Sequence, residues 1–336
     1  MADLNEIKSK VTAKSIREFS GKNAMFLVLL GLVIIIGVIK PSFLGWMNIR
    51  NIMMISSVRI IIAMGAGIIL ITKGVDLSAG RVVGLTACIA ASLLQRPDYA
   101  NRMYPGMDPL PLLIPIILAV VAGLLVGMIN GGVVSFFSVP PFIATLGTMV
   151  IIYGVASIYV DRPPLGAQPI GGLREDFTAI GTAAVGNSIF SIPFIVIIAI
   201  VVIVGMWILL NKTELGKNIY AIGGNTEAAV VSGVNVKKNL VLVYAIAGLL
   251  YGLAGTLLSA RTGGATNNYG LMYELDAIAA CVIGGVSTSG GIGTVGGIMI
   301  GVFIFEVLNN GLVILGVSAY WQQIIKGLII VSAVAL

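Results

Sequence analysis

The stretch GKNIYAIGGNTEAAVVSGVNVKK, Gly216–Lys238, is a polar interruption between two long apolar runs, Ile189–Leu210 before it and Leu240–Leu258 after it. It holds four charges, Lys217, Glu227, Lys237 and Lys238, and neither His nor Cys. Its own residues form no catalytic constellation, so its meaning depends on what the flanking runs are. Two apolar runs of about 20 residues, joined by a charged connector, read as two membrane-spanning helices and the loop between them.

The composition requires the same reading of the whole chain. The 336 residues are 58% hydrophobic and 10% charged, with a mean hydropathy of +1.05. Soluble domains carry about 45–50% apolar and about 25% charged residues. A deficit of charge this large is compatible only with lipid as the solvent, which defines an all-α polytopic membrane protein. The net charge of +6 is spread as single bases near the ends of apolar runs. That is the pattern of positive-inside topology and not of a nucleic-acid partner. There is no histidine, which removes His-based metal sites, catalytic triads and His proton relays. Cys88 and Cys281 both lie inside apolar runs, so a disulfide framework is not expected.

Residues 1–23 are polar, with Lys8, Lys10, Lys14, Arg17 and Lys22 interleaved with Asp3, Glu6 and Glu18. They read as a cytosolic segment lying at the interface, followed by a retained first span, because no small-residue cleavage site precedes Lys40. Apolar runs then recur at Ala24–Ile39, Ile52–Thr72, Pro111–Met128, Phe142–Val160, Ile189–Leu210, Leu240–Leu258 and Ile298–Leu315. Shorter ones lie at Arg81–Leu94, Leu271–Ile283 and Ala319–Leu336. About ten spans result, or eight if the short glycine-broken pieces are re-entrant. Residues 24–336 form one transmembrane domain. With the N-terminus inside, the loop Asp161–Ser188 falls outside, with only Arg162 and Arg174 as bases. The segment 211–238 falls inside with four, so the stretch quoted above is cytosolic.

Three interruptions separate helical pieces: KGVDLSAG (Lys73–Gly80), NGGVVSFFSVPP (Asn130–Pro141) and GGVSTSGGIGTVGG (Gly284–Gly297). Non-helical backbone at membrane depth is tolerated where protein buries it or a wet cavity borders it. Paired breaks in two halves of a chain point to a transporter. A weak internal repeat accompanies them, since GVDLSAG at Gly74 and GVSTSGG at Gly285 share four of seven residues. An Asn-Gly pair follows each, Asn130-Gly131 and Asn310-Gly311. The chain contains no P-loop, and the Gly-x-Gly-x-x-Gly at Gly291, Gly293 and Gly296 lacks the strand and βαβ context of a nucleotide site. Gly123/Gly127, Gly248/Gly252 and Gly297/Gly301 have the spacing at which membrane helices approach closely.

Asp76, Glu306 and Lys326 are charges inside or beside apolar runs. Each is a functional candidate, weighed against a capping role for Asp76 and an interfacial position for Lys326. Ser78, Asn130, Thr145, Asn309 and Asn310, with Asp76, are the candidates for lining a translocation path; hydrogen bonding between helices is the alternative. In the cytosolic segment, Asn225 or Thr226 is an N-cap and Glu227 an acid in the first turn. Ala228, Ala229, Val230, Val231 and Ser232 follow, and Gly233 is a C-terminal stop. A helix of about two turns is not stable alone and needs something to dock on.

EAAVVSG (Glu227–Gly233) resembles the Glu-Ala-Ala-x-x-x-Gly loop of ABC-importer permeases, which docks on an ATPase subunit. Its flanks, TELGKNIYAIGGNTEAAVVSGVNV (Thr213–Val236), are similar to the sugar-importer branch of ribose, xylose and arabinose permeases. GVDLSAG, PPFIATLGTM (Pro140–Met149), YELDAIAACVIGGVSTSGG (Tyr273–Gly291) and VLNNGL (Val307–Leu312) resemble the same family, and together they cover nearly the whole chain. The resemblance implies a non-enzymatic permease subunit without cofactor, homodimeric in a bacterial inner membrane with its N-terminus cytoplasmic. It further implies two copies of an ABC ATPase below it, a periplasmic sugar-binding protein above it, and a neutral monosaccharide as cargo. Asn225, Glu227, Ala228, Ala229, Ser232 and Gly233 would then receive the ATPase. The chain departs from the family's pattern at Leu336, where it stops within an apolar run instead of entering a basic tail. A stand-alone secondary transporter or channel is the rival expectation, and a membrane enzyme is disfavoured because no nucleophile, base and metal set is visible.

Overall fold

The computed structural model describes residues 24–163, 166, 168–186 and 191–335. The polar N-terminal segment and the junction at Asn187–Phe190 lie outside them. In chain order the helices are α1 Ala24–Ile39, α2 Trp46–Ile71, α3 Ala79–Leu93, α4 Leu113–Phe136, α5 Pro141–Val160, α6 Glu175–Thr182 and α7 Phe194–Lys212. They continue with α8 Glu214–Gly224, α9 Thr226–Val231, α10 Val236–Thr262, α11 Tyr273–Ile283, α12 Val295–Ile314 and α13 Ala319–Ala335. Each apolar run of the sequence overlaps one of these helices. Six of them, α2, α4, α5, α7, α10 and α12, are long and apolar enough to cross a membrane.

The architecture is all-α, as expected, with one short extended element added. A small antiparallel hairpin, β1 Ala184–Gly186 with β2 Ser191–Pro193, precedes α7. Pro193 occupies the N-cap position of α7, so the chain enters that helix from extended backbone. One correction concerns NGGVVSFFSVPP. Asn130, Gly131 and Gly132 do not break a helix, because α4 runs through them to Phe136. The interruption is only Phe137–Pro140, with Ser138 at a φ of 55° and Pro141 as the first residue of α5. Proline disfavours helix in the residue before it and is preorganised for the first helical turn, which fixes that boundary.

The core is built around α2 and α10. Residues Ile60–Ile71 of α2 are buried without interruption, as expected of a helix enclosed by other helices. By contrast α4, α5 and α7 present wide apolar faces outward, including Phe142, Ile143, Val150, Ile158 and Val201. Glycine sets the approach of α4 to α10. A Cβ added at Gly127 would stand 2.1 Å from the Tyr244 carbonyl oxygen, and one at Gly123 2.4 Å from that of Gly248. Gly248 reciprocates, its Cβ position lying 2.2 Å from the Gly123 carbonyl oxygen. Gly297 and Gly301 bring α12 equally close to α11, at 2.1 Å from the Gly284 carbonyl oxygen and 2.0 Å from that of Ala280. Lipid tails provide no hydrophobic drive for helices to associate, so this backbone-to-backbone contact is what holds them together.

Cross-contacts sort the connections onto two ends. At one end Asn48 Nδ2 donates to Asn310 Oδ1 at 2.9 Å, Arg50 donates to the Thr182 carbonyl, and Ile170 pairs with Ala265. At the other end the chain leaving α2 meets α8, the start of α5 and the segment Gly284–Thr294. The two Gly-Val-x-x-Ser-x-Gly interruptions therefore share an end. Their Asn-Gly pairs do not, since Asn130 lies beside Ser78 and Asn310 beside Asn48.

Gly127→Val should lower the thermal unfolding midpoint of the detergent-solubilised chain by several degrees, since overpacking costs about 1–3 kcal/mol. Gly147→Ala, where a Cβ meets nothing within 4 Å, should leave the midpoint unchanged in the same assay.

Candidate functional site

The polar connector folds into two short helices with a shared cap. Thr213 caps α8, its hydroxyl accepting from the Gly216 N–H at 3.1 Å. Asn225 ends α8 and starts α9, its Oδ1 accepting from the Ala228 N–H at 3.0 Å, while Thr226 Oγ1 donates to the Ile222 carbonyl at 2.9 Å. At the far end Gly233, at a φ of 84°, donates to the Val230 carbonyl and Val234 to that of Ala229, each at 3.0 Å. This is a Schellman stop with glycine at its left-handed position.

Six residues of α9 are thereby fixed at both ends and presented outward. Glu227, Ala228 and Ser232 are exposed, as are Val230 at 57% and Val231 at 88%. Ala229 is turned inward at 3% exposure, so the Ala-Ala pair contributes one residue to the outer face and one to the contact with the body. Behind it a polar hollow of about 430 Å³ is bordered by Glu214, Asn218, Ser232, Lys238 and Asn239.

α8 is anchored to both interruptions at this end. The Tyr220 hydroxyl donates to the Gly293 carbonyl at 2.8 Å, and Lys73 Nζ donates to the Gly224 carbonyl at 3.3 Å. Tyr220 is partly buried, which raises its pKa and keeps the hydroxyl protonated as a donor.

The first group of path candidates forms one network around the break after α2. Asp76 Oδ1 accepts from the Ser78 N–H at 2.8 Å and from the Ser78 hydroxyl at 2.6 Å. Asn130 Nδ2 donates to Ser78 Oγ at 2.9 Å, and Thr145 Oγ1 accepts from the Leu77 N–H at 3.1 Å. All four side chains are buried. Beside them Asn130 Oδ1 and the hydroxyls of Tyr244 and Tyr251 are buried with no hydrogen-bond partner among the described residues. Asn309 and Asn310 lie at the opposite end. Asn310 is held by Asn48, and Asn309 Oδ1 has no partner among the described residues. Thus Asp76, Ser78, Asn130 and Thr145 come together, and the asparagine pair of α12 does not join them.

Two of the lone charges are parts of a cluster. Glu306 Oε1 lies 3.5 Å from Arg59 Nε, and Lys326 Nζ lies 3.4 Å from Asp276 Oδ2. The Arg59 guanidinium also bonds Asp276 and stacks on the Tyr273 ring at 3.8 Å from its centroid. Two bases and two acids, contributed by α2, α11, α12 and α13, are mutually neutralised inside the helix assembly. Arg59, inside an apolar run, and Asp276, in YELDAIAACV, carried the same intramembrane-charge signal as Glu306 and went unread in the sequence. Tyr220, Gly223 and Lys73 gave no such signal.

A polytopic assembly with a doubly capped helix presented at one end is the architecture of a membrane transport permease. The chain belongs to the family described as branched-chain amino acid transport system / permease component, which matches residues 48–334. It is 49% identical over 328 residues to the galactose/methyl galactoside import permease protein of Escherichia coli, covering 98% of this chain and 97% of that one. The protein of that name from Haemophilus influenzae is 50% identical over 315 residues, covering 94% and 93%. The ribose import permease protein of Bacillus subtilis is 40% identical over 312 residues, covering 93% and 91%. No solved structure matches.

Removing Asp276 leaves Arg59 and Lys326 without their shared acid, and breaking a buried pair costs about 3–5 kcal/mol. Asp276→Ala should therefore lose most of its folded yield in detergent, whereas Asp98→Ala, at an exposed pair with Arg96, should match the wild type by size-exclusion profile. Asn225→Ala should cost about 1 kcal/mol of local stability. It should raise amide exchange of α9 selectively in hydrogen–deuterium exchange, with α8 and α10 unaffected.

Proposed function

We propose that this chain is the membrane-spanning subunit of an ATP-driven sugar importer, carrying a neutral monosaccharide such as galactose or methyl galactoside. The observation that carries this reading is identity near one half, over almost the full length, to permeases named for that cargo. The family's description names branched-chain amino acids instead. The buried groups near the break after α2 include amides and hydroxyls, Asp76 held by Ser78, and the charged pair Glu274 and Arg81, so the side chains there carry no choice between the two cargoes. The relatives named for galactose and ribose favour a hydroxyl-rich neutral ligand.

In this reading the chain crosses the inner membrane ten times as one domain, 24–336, with residues 1–23 on the cytosolic face and 211–238 as a cytosolic loop. The alternation of its connections between two ends supports ten crossings. α11, at about 16 Å for its length, reaches across only with the irregular segments on either side of it. Two copies of the chain form the path, two copies of an ABC ATPase sit against α9, and a periplasmic sugar-binding protein delivers the sugar. Ala228, Val230 and Val231 give α9 a small apolar face for the ATPase with the acid Glu227 beside it, Asn225, Ser232 and Gly233 fixing its ends and Ala229 its seating. Asp76, Ser78, Asn130 and Thr145 border the path near the cytosolic end, and Asn309 and Asn310 near the periplasmic end. When the helices part, the unpartnered Asn130 Oδ1, Tyr244 hydroxyl and Asn309 Oδ1 become available to sugar hydroxyls.

Proteoliposomes decide between this and a stand-alone secondary transporter or channel. Labelled galactose should accumulate only when the chain is reconstituted with its ATPase, its binding protein and ATP, and leucine should not compete. Uptake by the chain alone, driven by an ion or sugar gradient, would establish the rival. Gly233→Val should also reduce uptake several-fold with normal insertion, because its φ of 84° strains a β-branched residue while no neighbour lies within 4 Å to clash.

A further inference from the structure

The last turn of a helix leaves its carbonyls without intrahelical donors, and inside a membrane protein they need partners from elsewhere. At the end of α2 the Ile71 carbonyl is satisfied by the Gly291 N–H at 2.8 Å, a donor from the interruption before α12. That interruption turns through Gly285, Gly290 and Gly291, at φ of 81°, 82° and 75°. The end of α8 enters the same notch. A Cβ on Gly223 would stand 1.8 Å from the Ile71 oxygen and 2.5 Å from the Gly291 nitrogen. One on Gly290 would stand 2.7 Å from the Gly223 oxygen. Three backbones thus meet, with the Lys73 side chain packed along the edge of the notch at Gly290. Tyr220, one turn earlier on α8, bonds the Gly293 carbonyl, and Lys73 bonds Gly224 from the α2 side.

We infer that Tyr220 and Gly223 are positioning residues that clamp the Gly284–Thr294 interruption to α8, so that displacement of α9 is delivered to α12 directly as well as through the chain into α10. The inference rests on the reading of α9 as the ATPase-docking helix. Thr226, bonded to Ile222, makes α9 move with α8. The interruption then moves with α8, and Thr294, which caps α12 by accepting from the Gly297 N–H at 3.0 Å, passes the displacement on. α12 carries Glu306 and Asn309, so the clamp joins the cytosolic docking surface to the helix that bears the buried charge cluster and the far-end asparagines.

The test uses the full chain with its ATPase and binding protein in proteoliposomes, and the chain alone in nanodiscs. Tyr220→Phe removes one hydroxyl and nothing from the docking face. It should keep ATPase association and ATP hydrolysis within twofold of wild type while lowering sugar imported per ATP at least fivefold. In nanodiscs it should raise amide exchange across Gly284–Thr294 at least tenfold without altering α9. Gly223→Ala should act in the same direction. Gly224→Ala, whose Cβ meets nothing within 4 Å, should behave as wild type. An unchanged sugar-to-ATP ratio with unchanged exchange in Tyr220→Phe overturns the clamp. Failure of the wild-type chain to retain any ATPase overturns the docking reading instead, and the exchange result then still decides whether Tyr220 holds the interruption.

Discussion

The Ile71 carbonyl and the Gly291 N–H that satisfies it express the constraint on which the structure depends. In hydrocarbon an unpaired backbone polar group costs several kcal/mol, so a helix that ends inside the assembly must find its donors in another segment. The exit of α2 finds one in the interruption before α12, and that choice fixes where α11 and α12 stand relative to α2. It also leaves a notch that only glycine backbone fills, where α8 returns. The helix body and the polar connector meet there backbone to backbone, with the Tyr220 and Lys73 side chains bonding carbonyls on either side.

The same economy governs the helix contacts. Small residues at Gly123, Gly127, Gly248 and Gly252 let α4 and α10 touch through their backbones, and Gly297 and Gly301 do so for α12 against α11. Polar side chains inside the assembly are used in pairs or clusters. Arg59, Asp276, Glu306 and Lys326 cancel one another, and Asp76 is held by Ser78, which Asn130 supports. Groups without partners among the described residues, Tyr244, Asn130 and Asn309 with Arg81 and Glu274, then stand out as having capacity for a ligand. The exposed helix α9, a glycine junction beneath it and unpaired polar groups beyond form a continuous line into the helix assembly.

Much of this was legible in the sequence because its signals are local. Apolar runs gave the helices, Asn225 and Gly233 gave the ends of α9, and glycine spacing gave the close contacts. What stayed hidden was set by tertiary geometry. NGGVVSFF reads as a break, yet α4 continues through it because Gly131 fits against Val241, its Cβ position only 2.8 Å from that Cα. Asp276 shows no sign in sequence that Arg59, 217 positions away, is its partner. Tyr220 looks like an ordinary interfacial aromatic until Gly293 appears opposite its hydroxyl. The inward turn of Ala229 likewise follows from how α9 sits on α8 and α10, which periodicity over six residues cannot specify.

The central claim is that the connector of α8 and α9 and the Gly284–Thr294 interruption move as one body. Spin labels at the exposed Lys217 on α8 and Ile292 in the interruption measure it directly, against a second pair joining Lys217 to Met47 at the opposite end; the native Cys88 and Cys281 are buried. Between the nucleotide-free and ATP-bound complexes, the Lys217–Ile292 distance should stay constant within about 2 Å while the Lys217–Met47 distance changes, as rigid-body movement requires. A nucleotide-dependent shift of several ångströms between Lys217 and Ile292 would contradict the claim.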